Sequence, residues 1–297
     1  MTSMPLNRRR FLKSLLWSGT ALGLGCAGYA TLVEPRRVVT NRVRVAVRGL
    51  PRAFDGLTIA QLSDLHHSHV VSAAYLNHCV DLANALQPDL FAFTGDYLTY
   101  GWDFLWLEEP VMSDRRRAPE LMRAVAACMG RARARYGTFA CLGNHDRWFD
   151  ARAVTNALHG AGITVLRDEH TTVRINGEPL PIVGIDDPWS GWPDMRRSFA
   201  GVNAPFTLAL THRPDVFEHW TRPGAYLFLA GHTHGGQVRL PWVGPLVIPS
   251  RWGRKYARGL FRRGDTQMYV NSGIGVIPPP VRFLCPPEIS FFRLEAA

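Results

Sequence analysis

The sequence predicts an α/β fold, a four-layer α/β/β/α sandwich, from two recurring features. Five short apolar runs of strand character each end at once in a small cluster of Gly, Asp, Asn or His. Residues 57–62 lead to Asp64-Leu65-His66, 90–93 to Gly95-Asp96, and 138–142 to Gly143-Asn144-His145-Asp146. Residues 206–210 lead to Thr211-His212, and 226–230 to Gly231-His232-Thr233-His234. Helical stretches fall between several of these runs, at 72–87, 119–135 and 151–159, with Ser72 and Asp150 as N-caps. Buried strands alternating with helices build an α/β core. In such sheets, polar residues gather beyond the carboxyl ends of the strands, so clusters distant in sequence converge.

The remaining elements follow in chain order. Arg8-Arg9-Arg10-Phe11-Leu12-Lys13 precedes an uncharged stretch, 14–33, rich in Leu, Gly and Ala. This resembles a twin-arginine export signal; the alternative is a membrane-anchoring helix with a basic flank, and either places the rest outside the cytoplasm. Gly28-Tyr29-Ala30 is a poor cleavage site, so retention as an anchor stays open, and the context of Cys26 is a weak match to a lipoprotein signal. Residues 1–35 are therefore expected to be signal or anchor and 36–297 one catalytic domain. Glu34-Pro35-Arg36-Arg37 reads as a linker into an alternating edge strand, 39–47. The later segments 171–183 and 268–294 are strand-like and complete the layers.

A chain of 297 residues with 46% hydrophobic and 20% charged residues can bury one large core. The net charge of +10 favours anionic partners, yet no nucleic-acid-binding motif appears and no specific nucleic-acid partner is expected. Beyond the leader, Cys79, Cys128, Cys141 and Cys285 are too sparse for a disulfide framework, and none has zinc-site spacing.

Taken as chemistry, the clusters offer Asp64, His66, Asp96, Asn144, His212, His232 and His234, with His145 and Asp146 beside them. Mixed imidazole, carboxylate and amide donors suit two divalent ions of intermediate hardness, with manganese, iron and zinc all acceptable. Asp96, following a glycine that lets the backbone turn tightly, is a natural bridging carboxylate. Alone, each residue has a plainer reading: a helix cap for Asp64 or Asp146, a core or surface histidine for His212 or His145.

The ordered set resembles the calcineurin-like metallophosphoesterase superfamily over nearly the whole mature chain. It looks most like exported bacterial members, in which the last motif continues as Gly-Gly-Gln, here Gly235-Gly236-Gln237, and an Asn-Ser-Gly-Ile-Gly stretch follows, here residues 271–275. The resemblance implies one ion on Asp64, His66, Asp96 and His234 and a second on Asp96, Asn144, His212 and His232. It further implies in-line attack by a hydroxide held between the ions. His145 would protonate the leaving oxygen, with Asp146 orienting its imidazole. Thr99 stands where purple acid phosphatases place a tyrosine, so no iron–tyrosinate centre is expected.

The leading expectation is hydrolysis of a phosphodiester, or of a related pyrophosphate link, in a lipid- or nucleotide-sugar-linked envelope substrate, after export by the twin-arginine translocase to the periplasm. A phosphomonoesterase and a non-catalytic envelope metal-binding protein are the alternatives. His67 and His69 are secondary candidates for substrate contact; His78, His159, His170 and His219 are assigned none. Asp186-Asp187-Pro188-Trp189 with Gly191-Trp192 either borders the cleft or packs the core. Arg251, Arg254, Lys255 and Arg258, interleaved with Trp252 and Tyr256, form either a solvated basic face or a site for a second anionic group or a membrane surface.

Overall fold

The structure is a computed structural model that describes residues 8–100, 116–187 and 193–297. The aromatic part of the 186–192 stretch, Trp189 and Trp192, lies outside the described residues, as do the side chains of Arg8 and Arg10.

In chain order the elements are α1 (Arg8–Gly28), β1 (Val39–Val47), β2 (Thr58–Leu62), α2 (Ala73–Asn84), β3 (Leu90–Thr94), α3 (Ala118–Met129), β4 (Thr138–Cys141), α4 (Asn144–Gly160), β5 (Thr164–Val165), β6 (Glu169–Ile175) and β7 (Glu178–Ile185). There follow α5 (Met195–Ser198), β8 (Phe206–Thr211), β9 (Ala225–Ala230), β10 (Arg239–Leu240), β11 (Gly244–Pro245), β12 (Gly259–Arg263), β13 (Thr266–Val270) and β14 (Glu288–Ala296). Two six-stranded sheets form, in the orders β1-β14-β2-β3-β4-β5 and β12-β13-β9-β8-β7-β6, with β10 and β11 as a separate hairpin.

Strand periodicity assigns the layers. Along β3, Leu90 and Ala92 join the core between the sheets while Phe91 and Phe93 turn to the helices, because successive side chains face opposite ways. The helix side is closed by Leu76, Val80, Met122, Val125, Val154 and Leu158 from α2, α3 and α4. Between the sheets, Ile59 and Phe139 share one core with Leu180, Ile182, Leu208 and Leu227. The far face of the second sheet, with Val183, Ala209, Phe228 and Met268, is covered by α5 and 3₁₀ turns through Phe199, Phe217, Trp220 and Tyr256. The result is two sheets flanked by helices, with a thin outer layer built of turns on one side.

Local chemistry explains the element ends. The Ser72 hydroxyl accepts from the Tyr75 amide at 3.2 Å, starting α2 where the sequence places its cap. The helix expected at 151–159 begins earlier: α4 starts at Asn144 and breaks at Asp150, whose carboxylate accepts from the Arg152 and Ala153 amides and caps the second piece. β1 is the expected edge strand, parallel to β14. All five cysteines are free.

Glu34, expected in a linker, is fully buried. Its carboxylate accepts from the Leu284 and Cys285 amides, while the Arg282 amide donates to the Ala30 carbonyl at 2.9 Å. Residues 30–34 are therefore docked on residues 282–285. Among the described residues, no helix is long and apolar enough to cross a membrane.

Candidate metal centre

The five clusters stand at the carboxyl ends of β2, β3, β4, β8 and β9, and their loops are bonded to one another. Asp64 N–H donates to Gly95 O and His66 N–H to Asp96 O, both at 3.0 Å, and Gly231 N–H donates to His212 O at 2.9 Å. The His145 amide donates to Asp96 Oδ1 at 2.9 Å, and the His232 amide to both oxygens of Asp64. Two glycines admit this closeness. A Cβ on Gly231 would lie 1.9 Å from Ser63 Oγ and one on Gly143 2.2 Å from Asp96 Oδ1.

Asp64, His66, Asp96, His232 and His234 all have left-handed backbones, with φ between 47° and 71°. Such a conformation costs an L-residue roughly 1–2 kcal/mol, though Asp and His tolerate it better than most. Five in one centre is strain that persists because the surrounding bonds enforce it, a pattern that marks functional sites.

The side chains form two clusters with Asp96 between them. Asp64, His66 and His234 compose one, Asp96, His212 and His232 the other, and Asp96 also groups with His66 and His145. His66 Nε2 is 3.1 Å from His234 Nε2, and His234 Nε2 is 3.4 Å from Asp64 Oδ1. His232 Nδ1 is 3.1 Å from His212 Nε2, and Asp96 Oδ2 is 3.1 Å from His212 Nε2 and 3.6 Å from His66 Nε2. Donors roughly 2.0–2.2 Å from a shared ion stand about this far apart. The donors also fit in chemistry: Asn144 is buried and its Oδ1 has no hydrogen-bond partner among the described residues, a cost that a cation would remove. The centre thus contains two candidate metal sites.

Electrostatics prepares the ligands. Burial, then the charge of His145, lowers His66 to about 3. Burial also holds His232 and His234 well below the usual imidazole range, reinforced by His212 and His66 respectively. These rings are neutral with lone pairs free to donate. Burial alone would raise Asp96, but the charges of His212 and His145 hold its carboxyl well below the ordinary range. Burial lifts Asp64 to about 6. His212 is the exception: burial opposes its proton, yet Asp96, by charge and hydrogen bond, raises it to about 10.

Because that pKa is above its unfolded value, the His212 proton stabilises the metal-free fold below about pH 6.5, and the contribution disappears as pH rises through about 10. A metal ion must displace that proton. Loading metal-free protein near pH 8 should release roughly one proton from His212, measured by calorimetry in buffers of different ionisation enthalpy; heats that do not vary with buffer would contradict it.

Outer contacts orient the rings. His212 Nδ1 meets the Thr94 carbonyl at 2.7 Å, turning Nε2 to the site. Thr99 Oγ1 lies 3.3 Å from His66 Nδ1. Arg282, fully buried, donates to the carbonyls of Ser272, Gly273, Gly275 and Cys285. It thereby holds the 271–275 stretch, whose Ile274 and Gly275 amides bond the carbonyls of Ser63 and Asp64. The buried Tyr97 hydroxyl donates to the Cys141 carbonyl and ties β3 to β4.

Asp146 takes up the helix-cap reading and extends it. Its carboxylate accepts from the backbone amides of Asp96, Tyr97 and Gly143 at 2.8–2.9 Å, while His145 Nδ1 accepts from the Tyr100 amide at 3.1 Å. Asp146 therefore positions the Asp96 loop and the first turn of α4, and the Tyr100 amide is one contact that orients His145. Both oxygens are committed because a carboxylate at the third position of a helix reaches back to the preceding amides.

Among the secondary candidates, His67 is buried with Nδ1 on the Val71 carbonyl, a turn-forming contact, and His69 is exposed. His78, His159 and His219 are exposed, and His170 meets the Ser198 carbonyl. Asp186 pairs with Arg147 and Arg167, and Asp187 with Arg213 at 3.1 Å. Reading the sequence missed Glu34, Tyr97 and Arg282; nothing local signals them, since each matters through partners distant along the chain.

Comparison with known proteins agrees with this centre. The family model of the calcineurin-like phosphoesterases matches residues 57–236. The chain is 33% identical over 297 residues to the uncharacterized metallophosphoesterase YkuE of Bacillus subtilis, covering 98% of each. It is 30% identical over 292 residues to the phosphodiesterase YaeI of Escherichia coli, covering 97% of this chain and 99% of that one. It is 26% identical to the UDP-2,3-diacylglucosamine pyrophosphatase LpxG of Chlamydia trachomatis, covering 89% and 92%.

Proposed function

The chain belongs to the calcineurin-like phosphoesterase family and is a metal-dependent phosphoesterase, and we propose that it hydrolyses phosphodiester or pyrophosphate bonds of a lipid- or nucleotide-sugar-linked substrate in the cell envelope. The observation that carries this reading is the position of Asp96 between two ligand clusters, with His145 alongside. Two divalent ions at such a centre would supply an acidified water near neutral pH and charge to neutralise phosphate oxygens. Manganese, iron and zinc all suit the donor set.

The chain's own residues do the rest. Asp64, His66 and His234 would hold one ion and Asn144, His212 and His232 the other, with Asp96 placed between the two groups. Because His145 Nδ1 accepts from the Tyr100 amide, a neutral His145 keeps its proton on Nε2, from which it can pass to a leaving oxygen. The nearby arginines favour a diester. Arg147 and Arg213, each following a site residue in sequence, are engaged by Asp186 and Asp187, which leaves these two, among the described residues, little uncompensated positive charge for the extra charge of a terminal phosphate. The names of YaeI and LpxG, a phosphodiesterase and a pyrophosphatase, support the same bond classes.

The Arg8–Lys13 run before an apolar stretch supports export through the twin-arginine translocase to the periplasm. The docking of residues 30–34 on the domain supports a leader retained at the membrane.

Full-length protein stripped of metal and resupplied with manganese should hydrolyse bis(p-nitrophenyl) phosphate at least about tenfold faster than p-nitrophenyl phosphate, as kcat/KM, since each factor of ten reports about 1.4 kcal/mol of preference. A preference for the monoester would replace this reading with a phosphomonoesterase.

A further inference from the structure

We propose that the β10–β11 hairpin is a membrane-insertion loop that seats the metal centre on an anionic lipid surface. From Leu240 to Pro249 the chain carries no charged residue, and most of its apolar side chains, Pro245 apart, keep exposed surface. Trp242, at the hairpin tip, is fully exposed, and Val243, Leu246 and Val247 are about half exposed or more. A soluble surface rarely gathers that much apolar area in one projection unless something covers it.

The surroundings identify the occupant. Residues 239–263 contain seven basic residues, Arg239, Arg251, Arg254, Lys255, Arg258, Arg262 and Arg263, and no acidic one. The exposed Arg254 bonds the Val243 carbonyl at 2.9 Å, so the basic stretch is attached to the apolar tip. Lys255 and Arg263 both pair with Glu218, so one carboxylate offsets part of a stretch that is otherwise basic. An apolar projection with an aromatic at its end and a basic collar matches a bilayer interface, where the tip enters the acyl boundary and the collar meets anionic headgroups.

A second line of contacts points the same way. Arg239 N–H donates to the Phe283 carbonyl, and Phe283 N–H donates to the Gln237 carbonyl. Phe283 in turn packs edge-on against Tyr29, and its neighbours hold Ala30 and Glu34. The apolar leader helix, with Leu15, Leu16, Trp17, Leu22 and Leu24 exposed, thus ends beside the hairpin, and Leu32, Val33 and Leu284 add exposed apolar surface at the junction. The hairpin also follows His234 closely in sequence, and Pro245 packs against Gly236, where a Cβ would come within 2.3 Å of it. Leader, hairpin and metal centre adjoin, which would present the centre to a phosphoester in the headgroup layer. The inference rests on the envelope-substrate reading for its purpose, but its test uses no turnover.

The test is tryptophan quenching in the full-length protein bound to phosphatidylglycerol vesicles with brominated acyl chains. The leader contributes Trp17, so the signal of Trp242 is taken as the difference between the unmodified chain and Trp242→Phe, an exposed position where folding is undisturbed. At least about half of that difference emission should be quenched, as for a ring at the acyl boundary, and amides of residues 240–248 should gain exchange protection on the vesicles. An unquenched Trp242 component in a vesicle-bound protein would overturn the proposal, because the leader alone would then be making the contact. Equal quenching in pure phosphatidylcholine would overturn the anionic requirement. Protection of 240–248 that needs no lipid and grows with protein concentration would assign the face to a second copy of the chain instead.

Discussion

Asp96→Asn is expected to lower phosphodiester kcat/KM by on the order of 10³-fold or more while leaving the fold intact. Loss of a mere outer partner of a metal ligand costs roughly 10–100-fold, and here one change removes charge from both clusters at once. The Asp96 side chain accepts from the His145 amide through Oδ1 and faces His212 and His66 through Oδ2. An amide of the same shape keeps one acceptor, supplies no negative charge, and presents an N–H₂ group either to a backbone donor or to imidazole nitrogens. The loop itself is secured elsewhere, by the bonds from the Asp96 and Tyr97 amides to Asp146, so folding should survive. Metal content and activity of the purified variant, with thermal unfolding as the control, check this. A variant that binds both ions and retains activity within tenfold would show that Asp96 is not shared.

His145→Ala should have the second-largest effect, and one that depends on the leaving group. General acid catalysis contributes typically 10²–10⁴-fold. A ring that delivers a proton from Nε2 matters most when the departing oxygen is strongly basic. Methyl or glyceryl phosphodiesters should therefore lose on the order of 10²-fold or more, and bis(p-nitrophenyl) phosphate, whose leaving group departs as a stable anion, much less. Metal binding should persist. The comparison of the two leaving groups is the measurement. Equal losses on both substrates would mean that His145 stabilises the phosphoryl group or the ligands rather than the leaving oxygen, which its contacts with the His66 and Trp148 rings would then explain.

Much of this was open to inspection in the sequence, for a physical reason. The strands before Asp64, Asp96, Asn144, His212 and His232 are buried on both faces, so each reads as a largely apolar run, interrupted only by residues such as Gln61 and Thr207, and the sudden arrival of Asp, Asn and His marks its carboxyl end. Order along the chain then substitutes for proximity in space. What stayed hidden depends on partners far away in sequence. Glu34 looks like linker until Leu284 and Cys285 donate to it, and Arg282 looks like one more surface arginine until four carbonyls enclose it. Asp146 was readable as a helix cap, but not as the acceptor for the distant Asp96 and Tyr97 amides, because adjacency along a helix start says little about what else a side chain meets. α4 began earlier than its apolar pattern because Asn144 and His145, polar for the sake of the centre, occupy its first turn.

The hairpin was overlooked for another reason. An apolar run of ten residues with two turns of proline and glycine resembles a short buried strand pair, and only exposure distinguishes it from one.

The claim on which the rest depends is that one carboxylate, Asp96, joins two metal sites into a single centre. The most direct measurement is the electron paramagnetic resonance spectrum of the manganese-loaded chain beside that of Asp96→Asn. The geometry predicts two ions per chain in the native protein, with the broad spectrum of an exchange-coupled pair that collapses in the variant. A six-line spectrum of isolated manganese in the native protein, with one ion per chain or two uncoupled ones, would contradict it.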